Sequence, residues 1–128
     1  FNIWDSFEHN PIPRTVHETL ASLIPANPIP FLAKMPFGYS DRAEIERVTR
    51  AGGFSNVAIE TVEFPSSAPS AADAARAWVE GTPILAALTE RGITDPAPIR
   101  IEVEKALATK FGNSPCRASM RAIVVTAS

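Results

Sequence analysis

Few side chains in this sequence are suited to chemistry, and their spacing restricts what they can do. His9 lies in a polar Glu8-His9-Asn10-Pro11 loop. An imidazole titrates near neutral pH and suits a general base, although such a loop also suits an idle, solvated histidine. His17, with Leu20 and Ala21 close on a helical pattern, reads as structural. Neither histidine has the spacing of a metal site, and Glu18 beside His17 does not build one. The single cysteine, Cys116, enters an apolar strand with no histidine near it in sequence. It reads as a packed small residue rather than a nucleophile, and it excludes an internal disulfide framework. That cysteine usage fits a reducing compartment, and a cytoplasmic protein is expected. Gly38, Gly52, Gly53, Gly81, Gly92 and Gly112 all read as loop or helix-end glycines, so no Gly-rich cofactor turn is present.

Composition narrows the classes further. The chain has 128 residues, enough for one domain with a real core. Its formal net charge is −2, and the Arg and Lys residues are scattered among acids. A nucleic-acid binder would instead cluster them on a basic face. No apolar run approaches the ~18 residues that argue for a membrane span. Twelve prolines are many, and Pro11, Pro13, Pro25, Pro28, Pro30 and Pro36 crowd the first third. They forbid a long helix there.

The elements that must position these residues follow from pattern and caps. Phe1 to Asp5 reads as a strand, and Arg14 to Ile24 as a helix with Val16, Leu20, Leu23 and Ile24 at helical spacing. Pro13 fits the first turn of that helix and Pro25 stops it. Ala26 to Met35 reads as an irregular loop whose Phe31, Leu32 and Met35 need a covering surface. Asp41 stands three residues before Glu44, the spacing of a reciprocal N-terminal cap. Ile45, Val48 and Ala51 continue as a helix, which Gly52-Gly53 ends before a buried Phe54. Val57 to Phe64 is a strand whose alternation changes phase midway, through a bulge or because both faces are covered. The second is expected. Pro65 to Ser70 is a turn-rich linker. Three capped helices follow, started by Ser70, Thr82-Pro83 and Asp95-Pro96 and ended at Gly81, Gly92 and near Gly112. Arg121 to Ala127 is β-branched and apolar on both faces, as in a central strand.

The unit Asp41-x-x-x-Ile45-x-x-Val48-x-x-Ala51-Gly52-Gly53-Phe54-x-x-Val57, within Pro36 to Phe64, resembles the last helix and following strand of class I S-adenosylmethionine-dependent methyltransferases. The resemblance is weaker at Phe1 to Asn10 and at the last strand, and thin over the three helices. It implies an α/β fold, α+β for this segment alone, with a three-stranded sheet equivalent to strands 5-7-6 of the class I Rossmann-like fold. The last strand would insert between the other two, antiparallel to both. Residues 65–114 would be a helical insert, with Trp78, Ile84, Leu85 and Leu88 serving as a lid or a dimer face. The chain would be a truncated, substrate-side C-terminal segment, inactive alone, whose parent takes S-adenosylmethionine and a small-molecule substrate. No cofactor-binding residues are expected in this chain.

By the same resemblance, the substrate pocket maps to Trp4, Asp5, Phe7, His9, Asn10 and Phe37. Trp4 and Phe37 would wall it, Asp5 or Asn10 would orient a polar group, and His9 would be the base. Trp4 can equally be plain core, and Asp5 a simple cap of the next turn. An uncovered edge on the first strand invites pairing, so a homodimer or a complex with an N-terminal half is expected. The competing reading is a small α+β ligand-binding or dimerisation module without catalysis.

Overall fold

A computed structural model describes residues 1–128. The fold is α+β, with six helices and one three-stranded antiparallel sheet. The strands are β1 (Asn2–Trp4), β2 (Val57–Ala68) and β3 (Cys116–Ala127), in the order β1-β3-β2. The last strand is therefore central. It is antiparallel to both neighbours, with Ile3 opposite Ile123 and Ile59 opposite Val125.

Local chemistry accounts for most of the helices. Helix α1 (Pro11–Leu23) begins earlier than its apolar spacing predicts, because both Pro11 and Pro13 fit a first turn that needs no donors. In α3 (Arg42–Ala51), the Asp41 carboxylate accepts from the amides of Ala43 and Glu44. Ser70 caps α4 (Ala71–Glu80) by accepting from the Asp73 amide at 3.0 Å. Thr82 and Asp95 likewise accept the amides that open α5 (Ile84–Glu90) and α6 (Ala97–Phe111). Gly92 and Gly112 end these two helices at φ of 80° and 91°, which only glycine adopts without strain.

The proline-rich loop departs from expectation. It contains a single helical turn, α2 (Phe31–Lys34), that buries Leu32 completely and leaves Met35 68% exposed. Arg91 holds this segment to α5, its guanidinium donating to the carbonyls of Asn27 at 2.7 Å and Pro28 at 2.9 Å. Phe54 is not buried: no element covers the corner between α3 and β2, and the ring lies back over Gly52. Val48 is also exposed, so α3 presents mainly Ile45 and Thr49 inward.

β2 corrects two further expectations. It runs through Pro65 to Ala68, where a linker is expected, and its register against β3 is unbroken from Val57 to Ala68. Proline is tolerated because β2 is an edge strand. No bulge resets its phase, and neither face is covered throughout. Val57 and Ile59 pack with Ile3, Ile123, Val125 and Ile45 beneath α3. Further along, the opposite face takes over, with Ala68, Cys116 and Ala118 packing into the main core beneath α1, α4 and α6. Each face of the sheet is covered over about half its length. β3 starts at Cys116 rather than Arg121 for the same reason: its first half is roofed by the helical layer. Ile84 and Leu88 are fully buried in that core, so they form the body of the fold rather than a lid or an interface.

Candidate functional site

The extended segment ending β1 sends successive side chains to opposite faces of the sheet. Trp4 goes to the face that carries Ala122 and Phe64, while Asp5 goes to the other and meets Arg121. This alternation separates an apolar cleft from a polar knot.

The knot is closed. The Asp5 carboxylate accepts from Arg121 Nε at 2.7 Å and from its neighbour's amide, Ser6 N, at 2.8 Å. Burial pushes the Asp5 carboxyl upward, but the Ser6 amide, the Arg121 guanidinium and a smaller attraction from His9 together hold it below its ordinary range. Asn10 is fully buried. Its Nδ2 donates to the carbonyls of Asp5 at 2.9 Å, Ser6 at 3.1 Å and Arg121 at 3.1 Å, and its Oδ1 accepts from Arg121 N at 3.0 Å. The Asp5 amide donates to the Arg121 carbonyl. The Asn10 carboxamide thus supplies one further rung of the β1–β3 ladder where the chain has turned away. Every side-chain polar atom of Asp5 and Asn10 is thus engaged within the chain.

The cleft has a volume of about 350 Å³. Trp4, Phe64 and Ala122 form its floor, and Met35, Pro36 and Tyr39 its wall. The wall is held by Gly38, where a Cβ would lie 2.5 Å from the Ala33 carbonyl; the loop can approach the end of α2 this closely only without a side chain. That approach sends Phe37 into the core, 5% exposed, and leaves Tyr39 at the rim, 41% exposed. A smaller hollow of about 240 Å³ shares Trp4 and Pro36 and is closed by Phe31, Phe37 and Trp78. The aromatic rings form a continuous set. Phe37 lies 6.2 Å from Trp4, 5.3 Å from Phe7 and 6.5 Å from Trp78, and Trp4 lies 6.3 Å from Phe64.

The structure therefore brings together Trp4, Phe7 and Phe37 of the sequence-derived candidates. Trp4 lines both hollows, Phe37 lines the smaller one, and Phe7 backs Phe37 while its ring lies tilted against His17 at 5.2 Å. His9 lies in the short 3-10 turn Phe7–His9 and lines neither hollow. No group of three or more metal-ligating side chains occurs. Cys116 is fully buried, and burial raises its thiol above the ordinary range. No helix is long and apolar enough to cross a membrane. No protein-family model and no curated protein matches this chain. Sequence reasoning left Met35 as an apolar residue in need of a partner surface or a pocket, and missed Tyr39 and Phe64 as cleft residues. The phase change in β2 was the available signal for Phe64, since a large apolar residue out of step with Val57 and Ile59 must face a different neighbour.

Proposed function

We propose that the chain is the substrate-side segment of a class I S-adenosylmethionine-dependent methyltransferase domain acting on a small molecule. The observation that carries this reading is the strand order. β3 lies between β1 and β2 and runs antiparallel to both, so β1 and β2 are parallel to each other. That is the arrangement of the fifth, seventh and sixth strands in the family that Pro36 to Phe64 resembles. The capped α3 passing through Gly52-Gly53 into β2 supports the same equivalence.

On this reading the free edge of β1 pairs with a strand of a cofactor-binding half, and S-adenosylmethionine is held by residues outside this chain. The cofactor supplies the electrophilic methyl. This chain's residues supply position: Trp4, with Phe37 behind it, walls an acceptor site whose task is to hold a nucleophilic atom in line with that methyl. The test compares this chain with the polypeptide that also carries the preceding reading frame. Calorimetry with S-adenosylmethionine should show no binding by the chain alone. The longer polypeptide should bind the cofactor and transfer a labelled methyl to a small acceptor. A folded longer polypeptide that does not bind the cofactor overturns the proposal. The openness of the Trp4 cleft favours a second reading, a ligand-binding α+β module without catalysis, which ligand binding without cofactor binding would select.

A further inference from the structure

The lining of the Trp4 cleft says what kind of molecule it takes. No charged side chain contributes to its lining; Asp5 and Arg121 are closed on each other on the opposite face of the sheet, and Arg47, within reach of Tyr39, is itself paired with Glu44. A charged ligand there would lose its hydration with no partner to replace it. The rings of Trp4, Tyr39 and Phe64 and the thioether of Met35 offer flat, polarizable surfaces that favour aromatic ligands. Two polar groups remain in the lining, the Asn2 carboxamide beside Trp4 on β1 and the Tyr39 hydroxyl on the wall, and neither is engaged in a hydrogen bond within the chain. At about 350 Å³ the cleft is at the lower end of small-molecule sites, which span about 300–1,000 Å³.

We infer that this cleft binds a neutral, flat, aromatic small molecule of one or two fused rings, carrying a hydroxyl or carbonyl that meets Asn2 and Tyr39. The inference rests on the proposed function only in making that molecule the methyl acceptor; binding itself follows from the cleft. A hydroxyl on the bound ring would anchor to Tyr39, and its oxygen would take the methyl as the sulfonium S–CH3 bond breaks, S-adenosylhomocysteine leaving and the hydroxyl proton passing to water through the open cleft.

The test uses the full chain labelled with ¹⁵N. It has two tryptophans, Trp4 and Trp78, whose indole signals are assigned with W78F. Titration with 2-naphthol should move the Trp4 signal, and 2-naphthoate, the same ring system with a charge, should bind at least about tenfold more weakly. Tyr39→Phe, at an exposed position, should weaken 2-naphthol by about two- to tenfold while leaving the spectrum of the free protein in place. A Trp4 signal unmoved by 2-naphthol, or equal affinity for the naphthoate, overturns the ligand class. Unchanged affinity in Tyr39→Phe overturns the assigned orientation. A longer polypeptide that binds the cofactor but methylates only charged acceptors sinks this inference and spares the proposed function. One that binds 2-naphthol yet binds no cofactor does the reverse.

Discussion

Asn10→Ala tests whether Asn10 is a tie between strands or a residue that faces substrate. In the wild-type chain its carboxamide makes four hydrogen bonds while fully buried. Removing it does not orphan all four partners. The Arg121 carbonyl keeps the Asp5 amide, and the Ser6 carbonyl keeps the His9 amide. The Asp5 carbonyl and the Arg121 amide are left without a partner. Each buried orphan costs about 1–3 kcal/mol, so the substitution should destabilise the fold by about 2–6 kcal/mol. For a chain of this size, roughly 4 °C per kcal/mol gives a fall in melting temperature of about 8–24 °C. Differential scanning calorimetry measures it directly. Asn10→Asp separates the contributions: it can still accept from Arg121 N, but it loses both donors and adds a charge near Asp5. It should be about as harmful as Ala. A loss below about 1 kcal/mol for Asn10→Ala, or weaker ligand binding at unchanged stability, refutes the assignment.

Three other outcomes follow from named contacts. Asp5 titrates below its ordinary value of 3.8 in the folded chain, so its ion pair adds stability that is fully present above that value and is lost as pH falls through the lowered one. Urea midpoints should drop below about pH 4 in the wild type, and Asp5→Asn should be less stable at neutral pH with a flatter acid limb. Arg91→Ala removes the guanidinium that grips Asn27 and Pro28, so hydrogen exchange should quicken at Ile29 and in α2 while β3 stays protected. Phe1 spends both backbone groups and Asp5 its amide on β3, so alternation turns those of Asn2 and Trp4 to the open edge of β1. If that edge pairs with a second copy, light scattering after size exclusion should give twice the monomer mass. Asn2→Pro should restore the monomer without disturbing the β1–β3 ladder; a clean monomer at high concentration in the wild type refutes the pairing.

How much of this was legible depends on how far apart the interacting groups lie. The caps at Asp41, Ser70, Thr82 and Asp95 were readable because donor and acceptor are two or three residues apart. The glycine stops were readable because backbone geometry is local. The α2 turn was not, since prolines on both sides mask a four-residue helix whose one fully buried side chain is Leu32. The polar knot was illegible for a stronger reason. Asp5 and Arg121 are 116 residues apart, and Asn10 and Arg121 are 111 apart, so nothing in the local pattern marks them as partners. Asp5 and Asn10 consequently looked available for substrate when their groups were already committed.

The same long-range geometry accounts for the cleft. A sheet roofed on one face by α3 and on the other by the larger helical layer, each over about half its length, leaves a band where neither cover reaches. Phe64, on the helical side but beyond the helices, remains 40% exposed, and the loop carrying Met35 and Tyr39 stands across from it rather than over it. Trp4 reaches this band because β1 ends there, and β1 ends there because the Asn10 carboxamide completes the next rung in its place. The knot and the cleft are therefore coupled through a single extended pair of residues: loosening Asn10 should free the end of β1 and blur the position of Trp4 on the opposite face.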